Sequence, residues 1–245
     1  MRMLIAVPIF NEEKYVTRVL REILRYGHDV LVVDDGSTDR TPVLLKSLNV
    51  RVITHPENRG YGQSLIDAFD YAAQHGYDWV LTMDCDEQHE PAKIPDFYQA
   101  ALADDADIIS GSRYMVMEND ADAPPVDRRN INRIVTELVN SVLNFSLTDT
   151  FCGFKAHRVS AMQKLNLNIP GYAFPMQFWV QAAANNLRIT ELPVKLIYKD
   201  ATRHFGGMLD DPSARLQHYL EVLTNELKAV RSTTPAQPAE CASCV

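Results

Sequence analysis

The chain has 245 residues, 46% hydrophobic and 23% charged, which is the composition of a soluble globular protein with length for one large domain. Its net charge of −8 argues against broad, non-specific binding to nucleic acid or anionic lipid. No apolar run approaches the roughly 20 residues that span a bilayer, so the expected location is the cytoplasm, or the periphery of a membrane on its cytoplasmic face.

Met3 to Ile9 is an apolar strand. Asn11 is placed to cap a helix running to Arg25, with Glu12 and Glu13 in its first turn and Val16, Val19, Leu20, Ile23 and Leu24 on one face. A second strand, Asp29 to Val33, runs into Asp34-Asp35-Gly36-Ser37-Thr38-Asp39 and a helix over about 41–48. Arg51 to His55 is a third strand, and Asn58-Arg59-Gly60-Tyr61-Gly62 turns into a helix over about 63–74. Trp79 to Met83 is a fourth strand, followed by a helix near 91–103 and a strand over 107–110.

Apolar strands alternating with helices call for a parallel sheet covered on both faces. Ligands in such sheets bind beyond the carboxyl ends of the strands. Glu12, Asp35, Gly60, Asp84 and Asp86 would converge on that rim. Asp84 and Asp86 leave the fourth strand one residue apart, and two such carboxylates are costly to hold together without a cation. Oxygen donors with open positions suit Mg²⁺ or Mn²⁺ carrying a substrate diphosphate. The competing reading is a solvated polar loop.

The second half differs in texture. Residues 114–127 are polar. Ile131, Ile134, Val135, Leu138, Val139, Val142 and Leu143 form a helical stripe, which reads as a core or partner-facing helix or as one lying on a membrane. Residues 148–157 suggest a tight turn into a strand or helix, 173–185 a helix, and 189–198 a strand that Pro193 marks as an edge. A basic loop at 199–207 precedes a last helix from Pro212 to about Val230. The tail, 231–245, has a disordered composition. The four cysteines, Cys85, Cys152, Cys241 and Cys244, suit a reducing compartment.

Seven stretches, in order, resemble the family 2 inverting glycosyltransferases of GT-A fold, and within them the polyprenyl-phosphate sugar transferases such as dolichyl-phosphate mannose synthases. They are residues 7–13, 32–39, 58–62, 83–91, 111–114, 148–155 and 203–207. The resemblance implies a GT-A-type, Rossmann-like α/β sandwich over 1–230: a mostly parallel sheet with helices on both faces, a nucleotide-sugar half (1–112) and an acceptor half (113–230). It implies donor-nucleotide contacts from Pro8, Phe10, Glu12, Val33, Asp35, Asp84 and Cys85. It implies a metal site at Asp84, Asp86 and Gln88 for Mg²⁺ or Mn²⁺. Arg113 and Arg203 fall where the family sets cations around the phosphates and, with Asp86, are the catalytic candidates. One of Arg128, Arg129 and Arg133 falls there as well, with Arg129 and Arg133 the candidates for the acceptor phosphate.

The donor so implied is a nucleoside-diphosphate sugar of the GDP-mannose or UDP-glucose type. The acceptor is a polyprenyl phosphate. Family members with hydroxyl acceptors carry a base ahead of the helix that matches Gln177-Phe178-Trp179, where residues 174–179 have no acid. A phosphate monoester is already largely anionic near neutrality and needs no base. The alternatives are a hydroxyl acceptor served by another acid, such as Asp149 or Asp210, and a non-catalytic nucleotide-sugar-binding protein.

Overall fold

The computed structural model describes residues 1–115, 126–195, 197 and 207–233. Seven strands form one sheet: β1 (Met3–Ile9), β2 (Asp29–Asp34), β3 (Arg51–Thr54), β4 (Trp79–Thr82), β5 (Ile108–Ser112), β6 (Lys155–Arg158) and β7 (Ile189–Pro193), in the order β3-β2-β1-β4-β6-β5-β7. β1, β2, β3 and β4 pair in parallel, as do β5 and β7. Only β6 among these pairings runs antiparallel to its neighbours, β4 and β5.

The period-2 alternation of the strands divides the core into two layers. Leu4, Ala6, Leu31 and Val33 face one cluster, covered by α3 (Tyr61–Gln74), α5 (Val126–Leu143), α7 (Phe174–Ala184) and α8 (Pro212–Thr233). Met3, Ile5, Val7, Ile9, Val30 and Val32 face the other, covered by α1 (Val16–Leu24) and α4 (Ile94–Leu102). Both faces being buried explains why β1 and β2 are apolar at nearly every position, at about 1.5–3 kcal/mol of transfer free energy per large side chain. Two short helices, α2 (Thr41–Leu45) and α6 (Val159–Met162), complete the α/β sandwich.

Three features differ from the sequence expectations. Asn11 does not cap a helix. It has φ +55°, its Oδ1 accepts the amides of Thr38 and Asp39 at 2.8 and 3.2 Å, and α1 begins only at Val16. Its side chain therefore ties the loop after β1 to the loop after β2. The second is β6, Lys-Ala-His-Arg, which inserts between β4 and β5 although it carries no apolar run. Thr82 Oγ1 donates to the carbonyl of Gly153 at 2.7 Å, and burial, followed by the charge of nearby Lys155, keeps His157 neutral, with its pKa lowered to about 3. The third is α5, which buries Ile131, Val135 and Val139 but leaves Ile134 and Val142 more than two-fifths exposed. Among the described residues no helix is long and apolar enough to cross a membrane.

Candidate active site

A cleft of about 870 Å³ opens at the carboxyl ends of β1, β2 and β4. Its lining on the side of these strands includes Pro8, Phe10, Glu12, Asp35, Gly60, Tyr61, Asp84, Cys85, Asp86 and Gln88. Parallel register explains the convergence, because Pro8 lies beside Val33 and Ala6 beside Thr82, so all three loops leave the same end of the sheet.

Asp84 is held from several sides. Tyr61 Oη donates to its Oδ1 at 3.1 Å. Its backbone N–H donates to His89 Nδ1 at 3.1 Å, which makes Nδ1 the acceptor and leaves the ring proton on Nε2, 3.6 Å from Asp84 Oδ2. Burial lowers the His89 pKa to about 4, so the ring is neutral near pH 7. A Cβ at Gly153 would lie 2.4 Å from Asp84 Oδ2, so glycine there is a condition for the carboxylate's position. Burial, followed by the nearby Asp84 charge, raises the Tyr61 phenol pKa and keeps it a donor.

Asp86 Oδ1 accepts the Gln88 amide at 3.0 Å, and Glu87 between them has φ +63° and an ion pair with Arg18 of α1. Among the described residues no group of three or more His, Cys, Asp and Glu forms a ready metal cage. Two carboxylates facing a cleft fit a hard divalent cation that takes oxygen donors.

Arg113, at the end of β5, is held bidentately by Asp149: Nε donates to Oδ2 at 2.6 Å and Nη2 to Oδ1 at 2.9 Å. Burial opposes both charges, yet mutual attraction outweighs it. The Asp149 carboxyl is held below the usual carboxylate range and the guanidinium stays charged. Asp149 also accepts the amides of Phe151 and Cys152, each at 3.1 Å. A group so occupied is ill suited to take a proton from an acceptor. Gln177 faces inward: its Oε1 accepts the amides of Asn168 and Ile169 at 2.8 and 3.0 Å, and Nε2 donates to Glu226 at 3.0 Å.

Pro8, Phe10, Glu12, Asp35, Asp84, Cys85, Asp86, Gln88 and Arg113 line the cleft. Val33 is fully buried and packs in the core instead. On α5 it is Arg128 that lines the cleft; Arg129 is not in its lining, and Arg133 is exposed and paired with Glu137 one turn on. Arg203 and the Cys241/Cys244 tail lie outside the described residues. Tyr61, Tyr172, Arg215 and Tyr219, which the sequence does not mark as site residues, also line the cleft. Arg215 and Tyr219 are one helical turn apart on α8, which reads from sequence as an ordinary amphipathic helix.

Fold and site together define a GT-A glycosyltransferase. The family model for "Glycosyl transferase family 2" matches residues 4–165, and the chain belongs to this family. Similar proteins include an undecaprenyl-phosphate mannosyltransferase of Micrococcus luteus, 28% identical over 86% of this chain and 90% of the relative. Another is a UDP-N-acetylglucosamine–dolichyl-phosphate N-acetylglucosaminyltransferase of Methanococcus voltae, 27% identical over 79% of this chain and 85% of the relative. Glucosyl-3-phosphoglycerate synthase of Mycobacterium tuberculosis, solved with Mn²⁺, UDP and phosphoglyceric acid, superposes with a TM-score of 0.71 at 17% identity, over 92% of this chain and 78% of its own. That likeness is one of fold.

Proposed function

We propose that the chain moves a hexose from a nucleoside-diphosphate sugar to a polyprenyl phosphate. The observation that carries this reading is the division of charge in the cleft. Every carboxylate of the described lining lies in the first 86 residues, whereas from residue 113 onward the lining has Arg113, Arg128 and Arg215 and no acid. A hydroxyl acceptor would need a base on that side, and a phosphate acceptor would need cations. The named relatives act on polyprenyl or dolichyl phosphates, which agrees.

In this reading Asp84 and Asp86, with Gln88 beside them, would hold Mg²⁺ or Mn²⁺. Such an ion, when bound, would supply charge neutralisation to the departing nucleoside diphosphate. Tyr61 and Gly153 fix the Asp84 carboxylate from two sides. Pro8, Phe10, Glu12 and Asp35 receive the nucleoside. Arg113, kept rigid by Asp149, presents positive charge between the two substrates. An acceptor phosphate oxygen attacks C1 from the face opposite the diphosphate, forming one C–O bond as the other breaks. The aromatic wall of Phe151, Tyr172 and Tyr219 is the apolar surface on which the first isoprene units would rest.

Transfer of labelled sugar to a short-chain polyprenyl phosphate and to the polyprenol of the same chain tests this directly. Label should reach only the phosphate. Label on the alcohol at a comparable rate would give the site to a hydroxyl acceptor.

A further inference from the structure

Of residues 84–88, just past β4, all but Glu87 line the cleft. Glu87 has φ +63°, in the left-handed region where a residue with a Cβ is strained. Its carboxylate turns instead to α1 and pairs with Arg18, and the Glu87 side chain is only 13% exposed. α1 is a firm base for that contact, because Val16, Val19, Leu20 and Ile23 around Arg18 are buried against the sheet. From the other side, the Gln88 amide donates to Asp86 Oδ1 at 3.0 Å and closes the turn. The left-handed residue and this hydrogen bond bring Asp86 and Gln88 to the cleft together, with the side chain between them thrown back toward α1.

Glycine takes such a conformation without strain, so a glutamate at 87 calls for a reason. Backbone strain of this kind persists only where the surroundings hold it in place, and here the Arg18 contact does so.

We propose that the Arg18–Glu87 ion pair is a tether that holds the loop after β4 with Asp86 and Gln88 facing the cleft together, ready for a divalent cation. Arg18 and Glu87 are positioning residues, since neither is in the cleft lining and both act through the backbone at 87. The inference rests on the metal reading of Asp84, Asp86 and Gln88 given above, and adds to it what sets the loop before a cation is bound. The sign of the effect separates a tether from simple electrostatics. Losing Arg18 removes a positive charge and leaves Glu87 unneutralised, and by charge alone both changes would tighten cation binding. Losing a tether weakens it, because part of the binding free energy then goes into ordering the loop.

Electron paramagnetic resonance of Mn²⁺, titrated into the full chain with UDP and separately with GDP, is the test, each series read against the same nucleotide without protein. Arg18→Gln should weaken Mn²⁺ binding about fivefold, the upper range for an ion pair with one exposed partner. Glu87→Ala should weaken it to a similar extent, because alanine loses the carboxylate and keeps the strain. Glu87→Gly carries the same charge as the alanine variant and should stay within about twofold of wild type, because glycine adopts positive φ freely. Should Arg18→Gln fold poorly, the alanine and glycine pair carries the test with Arg18 in place. Binding unchanged or tighter in Arg18→Gln overturns the tether and leaves the metal reading standing. Equal weakening in the alanine and glycine variants overturns the part given to the backbone at 87. Wild type that binds no Mn²⁺ with either nucleotide overturns the metal reading and this inference together.

Discussion

Asp86→Asn should lower the rate of sugar transfer by about a thousandfold while shifting Tm by no more than about 2 °C. The asparagine keeps the shape of the side chain and the acceptor for the Gln88 amide, now at 3.0 Å from Asp86 Oδ1, so the turn at the end of β4 persists. The loss is one negative charge where a cation and a diphosphate are proposed to meet. Charge stabilisation by a metal at such a position is worth several kcal/mol, and each 1.36 kcal/mol is about tenfold in rate. Initial-rate kinetics across Mn²⁺ concentrations, with a thermal melt of the same preparation, measure both quantities. Turnover at the wild-type level would remove Asp86 from the chemistry, and a large fall in Tm would make its role structural.

Asp149→Asn should show the opposite balance, with a large loss of stability. The Asp149 side chain is fully buried and that of Arg113 is only 15% exposed. Removing the carboxylate's charge therefore strands a buried guanidinium, which costs about 3–5 kcal/mol. For a chain of this size the fall in Tm is about 10 °C. The pH dependence has a definite sign. Because the folded-state pKa of Asp149 is depressed, its contribution is present in full above the ordinary carboxylate range and is lost as pH falls through the lower, folded value. Wild type should thus lose stability in acid more steeply than the variant, so the gap between their melts closes as pH drops. A gap constant from pH 7 to pH 3 would mean that the ion pair is not the source of the difference.

How far these features were legible in the sequence follows from the range over which each is determined. β1, β2 and β4 announce themselves because burial on both faces demands an apolar residue at every position, and the acids that follow them must leave at the carboxyl rim. β6 gives no such signal. Lys155 and His157 are buried by what surrounds them, the lysine donating to the Cys152 carbonyl and His157 packed against Phe69 and Phe178. Gly153 was visible only as part of a motif, and its reason is the nearness of Asp84, nearly 70 positions earlier. Asn11 misled because a polar residue before an apolar helix looks like a cap, and only the fold brings Thr38 and Asp39 within its reach. On α5 a few residues' uncertainty in register decides which arginine turns inward. Arg215 and Tyr219 were illegible in the cleft, because helical periodicity says which face is buried and not what it is buried against.

The proposed acceptor chemistry depends on a nucleophile that arrives already charged, with no protein base on its side of the cleft. The pH dependence of kcat/KM, measured with a polyprenyl phosphate and with a phosphonate analogue of higher second pKa, tests that most directly. The rate should rise with pH as the acceptor loses its second proton, near pH 6 for the phosphate, and the rising limb should move upward with the phosphonate. A limb that stays at the same pH for both acceptors would belong to a group of the protein and would contradict the absence of a base.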